Sequence, residues 1–543
     1  MNKISLKRNL NGWSIISFVI VILILLPSVE IVLNLINPVN ENWAHIKQYM
    51  LKVYIADSIK LTIAVVLFTV IIGVLTAYFV TFYDFPFRRF FKWILVLPMA
   101  IPPYIGAYTY NGLLSYTGII QSLLRNKFNV VVDQRYFNIM SLKGAVFILT
   151  IFLFPYVYLI TKSFLEKQSA TLVESARLLG KGNVAIFFKV IVPISRVAIV
   201  SGATLVALEV LSDYGVVSYF GVQTFTTAIF KTWFSLGDVE SSVRIAAILM
   251  VGVVSVILFE KFMRGRRKYS YSNTKIKPVS RKRLTGIKKN LVVGFFTIIF
   301  LLSFLIPTLQ LLYFASLTYK RVLNSSFIMM SLNTLTLSIT AALVITIISL
   351  VIGNYCSIHE GILSKIISKT TMVGYSVPAA VIAISVILLF VNIDRNLKWL
   401  YLMINENSKT LILSTSIFML FFAYVIRFLG VSYQAIESGY EKMGKKFFEA
   451  SRLLGQSTFK TFIKIDIPML KPAIISSLVL VFIDIIRELP LTLLLRPFNF
   501  NTLATRTFDY AADEMLQEAS VPAIVIILIS IIAISFINRV DKE

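Results

Sequence analysis

Residues 174–180 read Glu-Ser-Ala-Arg-Leu-Leu-Gly, and residues 449–455 read Glu-Ala-Ser-Arg-Leu-Leu-Gly. The two stretches share five of seven residues and lie 275 positions apart. Each is followed by a proline thirteen positions after its glycine, at Pro193 and Pro468. Self-similarity at one fixed offset is the mark of an internal repeat. The sequence therefore predicts two copies of one structural unit, fused in tandem.

The composition is that of a protein that crosses a membrane many times. Hydrophobic residues make up 57% of the chain, charged residues only 15%, and the mean hydropathy is +0.81. A soluble protein carries about a quarter charged residues. The apolar residues also form blocks long enough to cross roughly 30 Å of hydrocarbon. These blocks include residues 13–35, 61–80, 291–312 and 341–356.

Each half of the repeat is predicted to contain six membrane-spanning helices, which makes the fold class all-α integral membrane. The spans of the first half lie near residues 13–36, 56–82, 90–113, 143–163, 195–219 and 242–263. Those of the second half lie near residues 290–315, 331–357, 367–391, 409–430, 471–495 and 519–538. Because six is even, both copies enter the membrane in one orientation, related by an axis along its normal. The predicted divisions are a first domain at 1–268, a basic linker with the start of the second repeat at 269–289, and a second domain at 290–543.

The formal net charge of +26 comes largely from short segments between the apolar blocks. The stretch 264–289 alone contains eleven Lys or Arg residues and no acid. Basic loops are retained on the cytoplasmic side during insertion. We therefore expect both termini and the loops 83–89, 164–194 and 264–289 to be cytoplasmic. The charge pattern favours a solvated basic linker over a nucleic-acid-binding arm, and membrane lipid is the expected partner of the apolar spans.

The segments 164–194 and 439–470 are too polar to span the membrane. Helix-forming residues surround Glu174 and Glu449, and a glycine then ends each short helix. The proline that follows stands where the next membrane helix is expected to begin. One interpretation is a pair of ordinary interfacial helices lying on the bilayer. The occurrence of two copies at equivalent places favours a shared docking role.

These two segments resemble the EAA motif of ABC importer permeases, which reads Glu-Ala-Ala, three residues, Gly, nine residues, Ile-x-Leu-Pro. Serine replaces one alanine in each copy, and valine or isoleucine replaces the leucine. The resemblance implies that each loop is a coupling helix seated on one of two nucleotide-binding ATPase subunits. The matching residues are Glu174, Ala176, Gly180 and Pro193 in the first copy, and Glu449, Ala450, Gly455 and Pro468 in the second.

Nearly the whole chain is similar to fused permeases of the ferric-iron (Fbp/Sfu) type. The stretches that carry this similarity are 101–108, 211–217, 225–230, 487–497 and 501–505. It implies a bacterial inner membrane permease that moves ferric iron inward by alternating access. Substrate would come from an extracytoplasmic solute-binding protein, periplasmic or lipid-anchored, that docks on outer loops including 114–142 and 221–240. Fused thiamine permeases share the architecture, so thiamine or another small solute is the alternative.

Four acidic residues fall at equivalent places in the fifth span of each half. Glu209 and Asp213 lie one turn apart, which places them on one helix face, and their counterparts at the offset of 275 are Asp484 and Glu488. Acids in spans are costly and usually face a partner or a polar pathway. We expect the four carboxylates to converge on the central axis and line the translocation path. There they would offer hard oxygen ligands or a negative field to a cation.

Other roles are open for these acids and for the aromatic residues near them. The acids can instead pair with Arg487 or Arg496, or cap helix ends, and Arg487 is itself a candidate for the path. Tyr104 and Tyr108 are path candidates because a phenolate is a hard oxygen ligand, although an interfacial aromatic belt explains them equally well. The lone Cys356 excludes a thiolate metal site, and no firm metal site is predicted.

The sequence has no nucleotide-binding motif. Residues 179–182, Leu-Gly-Lys-Gly, lack the first glycine and the hydroxyl residue of a P-loop. We therefore expect a translocation subunit that is not itself an enzyme and binds no cofactor, with ATP and Mg²⁺ on the partner ATPase. The rival classes are a secondary transporter of twelve spans, which would need no docking loops, and a membrane scaffold or enzyme subunit.

Overall fold

The computed structural model describes residues 12–36, 38–130, 133–166, 171–264, 281–359, 361–405 and 411–540, and these residues are almost entirely helical. The helices of the first half are α1 (Gly12–Asn34), α2 (Glu41–His45), α3 (Leu51–Phe82), α4 (Arg88–Ile94), α5 (Pro103–Leu114), α6 (Ile119–Phe128), α7 (Leu142–Glu166), α8 (Thr171–Leu178), α9 (Asn183–Ile186), α10 (Val192–Ser212), α11 (Gly215–Tyr219), α12 (Phe225–Phe234) and α13 (Val239–Arg264). Those of the second half are α14 (Gly286–Phe300), α15 (Ile306–Val322), α16 (Ser325–Ile358), α17 (Ile362–Ser376), α18 (Ala379–Ile404), α19 (Ile417–Met443), α20 (Lys446–Leu453), α21 (Thr458–Thr461), α22 (Ile467–Met469), α23 (Lys471–Arg487), α24 (Pro490–Leu495), α25 (Leu503–Ala512) and α26 (Leu516–Val540).

The number of membrane spans agrees with the sequence. Within the described residues, ten helices are long and apolar enough to cross a membrane, and up to twelve if each of two bent pairs is one span. One pair joins Arg88–Ala100 to Pro103–Phe128 at an angle of 93°, and the other joins Thr458–Met469 to Lys471–Arg487 at 73°. The predicted class, an all-α membrane protein of two tandem domains, is confirmed.

The third span of each half is broken at the same point of the repeat. The chain is extended at Pro102 (ψ 136°) before α5 and at Val377 (ψ 128°) before α18. In both places a proline follows, and the residue before a proline is excluded from the helical region by steric conflict with its ring. Two elbows, one per half, therefore leave helix-end carbonyl groups inside the protein.

The fifth span of each half is not the single helix that the sequence predicts. Helix α10 ends at Ser212 and α23 ends at Arg487, and the next residues, Asp213 and Glu488, are extended. A short helix follows in each half, α11 and α24. Asp213 and Glu488 are therefore the residues at which the chain leaves the long helix, one turn after Glu209 and Asp484, and the prediction of one continuous helix for this span is wrong.

The carboxylates themselves explain this break. Asp213 Oδ1 accepts hydrogen bonds from the N–H groups of Val216 (3.1 Å) and Val217 (3.2 Å), and Glu488 Oε1 accepts one from Leu491 N (3.1 Å). A side-chain oxygen that caps free N–H groups stabilises the start of a new helix. The two acids thus serve as helix caps, which was one of the alternatives open at the sequence level.

The start of the fifth span differs between the halves. A π-helical turn precedes each motif proline, at Phe187–Ile191 and at Phe462–Asp466. Proline lacks an N–H group and crowds the carbonyl four residues back, and a wider turn relieves this conflict. Pro193 then lies in the first turn of α10, as predicted. In the second half the chain bends by 73° after the short α22, so the long helix begins at Lys471 and not at Pro468.

The two halves interlock. Helix α1 packs against α16, α17 and α18 of the second half, and α15 packs against α5 of the first half. Each of the two largest apolar cores accordingly contains residues of both halves. The first includes Val21 and Phe230 with Tyr424, and the second includes Phe152 with Leu311. The surfaces between the halves are therefore part of the core of the protein.

The basic loops of the first half lie on one side of the molecule. Tyr83–Asp84 pairs as a short parallel strand with Lys282–Arg283, and the Lys92 ammonium lies 2.9 Å from the Glu166 carboxylate. The end of span two thus lies beside the segment that leads into the second half, and the start of span three lies beside the end of span four, in agreement with the predicted topology. Most of the predicted linker lies outside the described residues, and its boundaries stay predictions.

Candidate translocation site

A cavity of about 140 Å³, here called the acid cavity, lies where the two halves meet. Its wall is formed by the ends of α10 and α23, the short helices α11 and α24, and both third-span elbows. All four of the acids singled out in the sequence line it, namely Glu209, Asp213, Asp484 and Glu488. The convergence that the repeat predicted is therefore present, whereas the role of these acids in transport stays a prediction.

Glu209 and Asp484 occupy equivalent positions but have different partners. The Tyr375 hydroxyl, which belongs to the second half, donates a 2.9 Å hydrogen bond to Glu209 Oε1 of the first half. Asp484 Oδ1 lies 2.6 Å from the Arg487 guanidinium, one turn further along α23. The counterpart of Arg487 in the first half is Ser212. The cavity is therefore only approximately two-fold in its chemistry.

Two guanidinium groups, of buried Arg427 and of partly buried Arg487, support the elbows of the third spans. Arg427 of α19 is only 7% exposed and donates to the carbonyls of Tyr375 (3.1 Å) and Val377. Arg487 donates to the Met99 carbonyl, across the boundary between the halves. Carbonyl groups left over at a helix end need such donors when they are buried. Both arginines also line the acid cavity.

Arg427 was missed by the sequence analysis, as were Tyr156 and Tyr375, which also line the cavity. The counterpart of Arg427 in the first half is Phe152, so the repeat offers no second copy to point it out. The available signal is an arginine within an otherwise apolar span, which usually faces the interior of the bundle. Arg496, the second arginine that the sequence offers as a partner for the acids, pairs with Asp509 at 3.2 Å and not with these acids.

The outer tyrosines have different environments. Tyr104 is 5% exposed and lines the acid cavity, and its hydroxyl has no hydrogen-bond partner within the described chain. The Tyr108 hydroxyl donates to the Ala519 carbonyl at 3.3 Å, and Tyr108 is not part of the cavity wall. Tyr116 is exposed, with the Arg125 guanidinium 4.0 Å from its ring centroid. Of the two tyrosines predicted for the path, the geometry therefore favours Tyr104 over Tyr108.

A second cavity of about 770 Å³, here called the inner vestibule, adjoins the first. The two cavities share five wall residues, which form the partition between them: Met99, Tyr156, Tyr375, Asp484 and Arg487. The vestibule extends to the side of the basic loops, where Arg89 and Lys92 line it. Equivalent residues of both halves, Leu205 and Leu480, face it, which places it on the axis that relates the halves.

The acid cavity does not form a compact ligand shell in this conformation. Across the described residues, no group of three or more His, Cys, Asp or Glu side chains lies close enough to hold a metal ion. Two of the four carboxylates cap helices, one binds a phenol and one binds a guanidinium. In this arrangement the acids offer a cation an electric field and not a closed shell of ligands.

The two motif loops have the same backbone design. The motif glutamates lie on α8 and α20, and the glycines that follow adopt left-handed conformations, with φ of +72° at Gly180 and +75° at Gly455. The Lys181 N–H donates to the Ala176 carbonyl (3.1 Å), and the Gln456 N–H donates to the Ser451 carbonyl (3.2 Å). This is the hydrogen-bond pattern of a glycine-ended helix.

Each motif loop presents a pair of leucines to the outside. Leu178 and Leu179 are 89% and 78% exposed, and Leu453 and Leu454 are 89% and 80% exposed. The small residue that faces inward is Ala176 in the first loop and Ser451 in the second, while Ala450 is exposed. Paired apolar side chains at the tip of a polar loop are typical of a docking surface.

Comparison with known proteins agrees with this architecture. The model of one family, described as the inner membrane component of binding-protein-dependent transport systems, matches residues 69–268 and again residues 349–542. The chain is 24% identical over 497 residues to an Fe(3+)-transport system permease protein of Haemophilus influenzae, covering 89% of each chain.

Two further relatives are more distant or cover less. A putative ferric transport system permease protein of Haemophilus influenzae is 22% identical over 409 residues, which cover 72% of this chain and 61% of the relative. A molybdenum transport system permease protein of Escherichia coli is 23% identical over 218 residues, which cover 39% of this chain and 93% of the relative. The molybdenum permease is matched over nearly its whole length by less than half of this chain, as expected if this chain contains two such units. With the family model matched once in each half, the chain belongs to the inner membrane components of binding-protein-dependent transport systems.

Proposed function

We propose that this chain is the translocation subunit of an ABC importer for ferric iron in a bacterial inner membrane. A solute-binding protein on the outer side delivers the iron, and two copies of a separate ATPase subunit bind ATP and Mg²⁺ and supply the energy. Both termini lie in the cytoplasm. Membership of the family supports an importer over a secondary transporter or a scaffold.

The observation that carries the substrate assignment is the acid cavity. Four carboxylates converge on a small space between the halves, against two guanidinium groups. A surplus of carboxylates favours a cation, and carboxylate and phenol oxygens suit hard metal ions. A relative that matches 89% of the chain is named for Fe(3+) transport. Ferric iron therefore agrees both with the chemistry of the acid cavity and with the name of this relative.

The coupling loops supply the second part of the proposal. Their exposed leucine pairs and glycine-ended helices occur at equivalent positions, as a symmetric pair of ATPase subunits requires. When the ATPase subunits close on ATP, the loops move with them and transmit this motion to α10 and α23. The acids at the ends of these helices then change their spacing, which alters the hold on the ion.

An oxyanion is the competing substrate class. One relative is a molybdenum transport permease, and two arginines line the acid cavity. Thiamine is a further alternative within the same transporter class.

The deciding experiment reconstitutes the chain with its ATPase in liposomes and adds its solute-binding protein. That protein is loaded in turn with ferric iron, molybdate, sulfate or thiamine. We expect stimulation of ATP hydrolysis and uptake of radioactive iron only with the ferric form. Stimulation by one of the other ligands, with none by iron, would reassign the substrate.

A further inference from the structure

The sign of the charge reverses between the two cavities of the path. The acid cavity has four carboxylates and two guanidinium groups on its wall. The inner vestibule has four basic side chains and a single acid, Asp484. These basic residues are Arg89, Lys92, Lys162 and Arg487. A substrate that leaves the acid cavity inward therefore meets a positive wall.

Two of the four basic groups have no counter-charge at hydrogen-bonding distance. Lys92 pairs with Glu166 at 2.9 Å and Arg487 pairs with Asp484 at 2.6 Å. Arg89 and Lys162 form no hydrogen bond or ion pair with any part of the chain that the structure describes. The ammonium nitrogen of Lys162 lies 5.4 Å from the centroid of the Tyr158 ring, and the Glu166 carboxylate, which is already paired with Lys92, acts on it from a longer distance. At least two positive charges are thus available to a ligand in the vestibule.

This positive wall is not a property of the repeat. The second-half counterparts of Arg89, Lys92 and Lys162 are Ser364, Ile367 and Glu437, and none of the three lines the vestibule. The second half has lysines in the same region of the third span, at 365 and 369, but they are exposed outside the vestibule. Membrane insertion needs only that basic residues be on the cytoplasmic side. It does not require that they point into the path.

A cation that moves from the acid cavity into the inner vestibule loses the attraction of four carboxylates and is then repelled by the positive wall. Like charges repel strongly where water is partly excluded. The repulsion disappears if the ion leaves as part of a complex with an anion. The vestibule is large enough for such a complex, because 770 Å³ lies within the range of about 300–1,000 Å³ that small-molecule sites occupy.

We propose that the inner vestibule is a binding site for a small cytoplasmic polyanion with oxygen donors, of the tricarboxylate or phosphate class. Arg89 and Lys162 hold this anion beside the partition formed by Asp484 and Arg487. The anion removes the ferric ion from the acid cavity by ligand exchange. Its oxygens replace water molecules around the ion, which is held in the cavity by the carboxylate field; the displaced water returns to the vestibule, and the oxidation state of the iron does not change. This step rests on the proposed ferric substrate, whereas the anion site itself does not.

The test uses the nucleotide-free complex of the chain with its ATPase, in nanodiscs of uncharged lipid, titrated calorimetrically with citrate and separately with inorganic phosphate. We expect saturable binding of one anion per complex. Arg89→Gln and Lys162→Gln should each weaken it by about tenfold or more, which is about 1.4 kcal/mol. Lys162→Arg should retain it. Lys365→Gln, a matched loss of charge outside the vestibule, should leave it unchanged.

The outcomes separate the anion site from the proposed function. Binding of citrate alone or of phosphate alone supports the site and identifies the class. Absence of saturable binding by both, or equal weakening by Lys365→Gln, overturns it. Ferric-loaded binding protein that stimulates ATP hydrolysis without any anion binding would leave the proposed function standing and remove this inference. Anion binding that depends on Lys162, together with stimulation of ATP hydrolysis by a different solute, would support the anion site and contradict the proposed ferric substrate.

Discussion

The hydroxyl of Tyr375, in the second half of the chain, donates a hydrogen bond of 2.9 Å to the carboxylate of Glu209 in the first half. This contact joins the end of α17 to α10 at the partition between the acid cavity and the inner vestibule. The equivalent acid, Asp484, is held instead by an arginine of its own helix. The two halves therefore hold their path acids by different means, although the acids themselves are a symmetric pair.

Glu209→Gln and Asp484→Asn should each lower iron uptake by at least about tenfold, because each removes one charge from the field that attracts the cation. Uptake in reconstituted liposomes measures this. Co-purification of the ATPase should be unchanged, since neither residue lies near the motif loops. Asp509→Asn, which removes a carboxylate outside the acid cavity, is the comparison variant. Normal uptake by both path variants would remove these acids from the mechanism.

Arg427→Met should destabilise the protein by about 1–3 kcal/mol, because it leaves buried elbow carbonyls without a donor. The carbonyls concerned are those of Tyr375 and Val377. Thermal unfolding in detergent, followed by intrinsic fluorescence, measures the loss. Arg395→Met removes an arginine from the neighbouring α18 at an exposed position and should have little effect. An unchanged melting temperature in Arg427→Met would mean that water satisfies the elbow.

Gly180→Ala and Gly455→Ala should weaken coupling between ATP hydrolysis and uptake. A side chain at these left-handed positions costs about 1 kcal/mol, although nothing lies within 4 Å of the added Cβ. The ratio of iron transported to ATP hydrolysed measures the effect. Gly182→Ala is the matched control, because Gly182 is equally open but has φ of −68°. Equal behaviour of all three variants would show that the turn geometry is irrelevant.

Replacing Leu178 and Leu179 together by serine should cause loss of the ATPase from the purified complex, and so should the same change at Leu453 and Leu454. These side chains are largely exposed in the chain itself, so the melting temperature of the isolated permease should be the same as that of the wild type. Affinity purification through a tag on the permease measures the bound ATPase. Leu236→Ser, an exposed leucine on the predicted outer side, should retain it in full. Retention by the leucine-pair variants would place docking elsewhere.

Asp238, in the loop before α13, predicts a dependence of stability on pH. Burial raises the pKa of this carboxyl, but hydrogen bonds from the Ser241 N–H and side chain and from the Asn40 amide outweigh it and bring the pKa below its ordinary value. A depressed pKa means that the carboxylate stabilises the fold at neutral pH. This contribution is lost as the pH falls below the ordinary value of about 3.9 and through the lowered pKa.

Melting temperatures of the wild type and of Asp238→Asn, recorded between pH 7 and pH 3, test this dependence. The wild type should be the more stable protein at pH 7, and the difference should shrink at the acidic end. A difference that is constant with pH would show that the carboxylate charge contributes nothing.

Much of the architecture was predictable from the sequence because it depends on local patterns. Apolar blocks, basic loops and a repeat at 275 residues indicate twelve spans in two halves, since insertion of a segment depends mainly on its own composition. The motif loops were equally predictable, because Gly180 and Gly455 end helices by backbone preference alone. The convergence of Glu209 and Asp484 on one cavity followed from applying two-fold symmetry to the repeat.

The sequence by itself thus determined the class, the repeat, the motif loops and the candidate acids, because each is encoded in a short stretch or in its second copy. Only the tertiary structure decided which groups meet these acids. Arg427 and Tyr375 reach the path from helices distant in sequence, and neither has a like residue at the equivalent position of the first half. Asp213 ends a helix because its carboxylate finds N–H groups to cap. The charge reversal along the path likewise depends on where side chains point, and this is set by the packing between helices and not by the composition of any one of them.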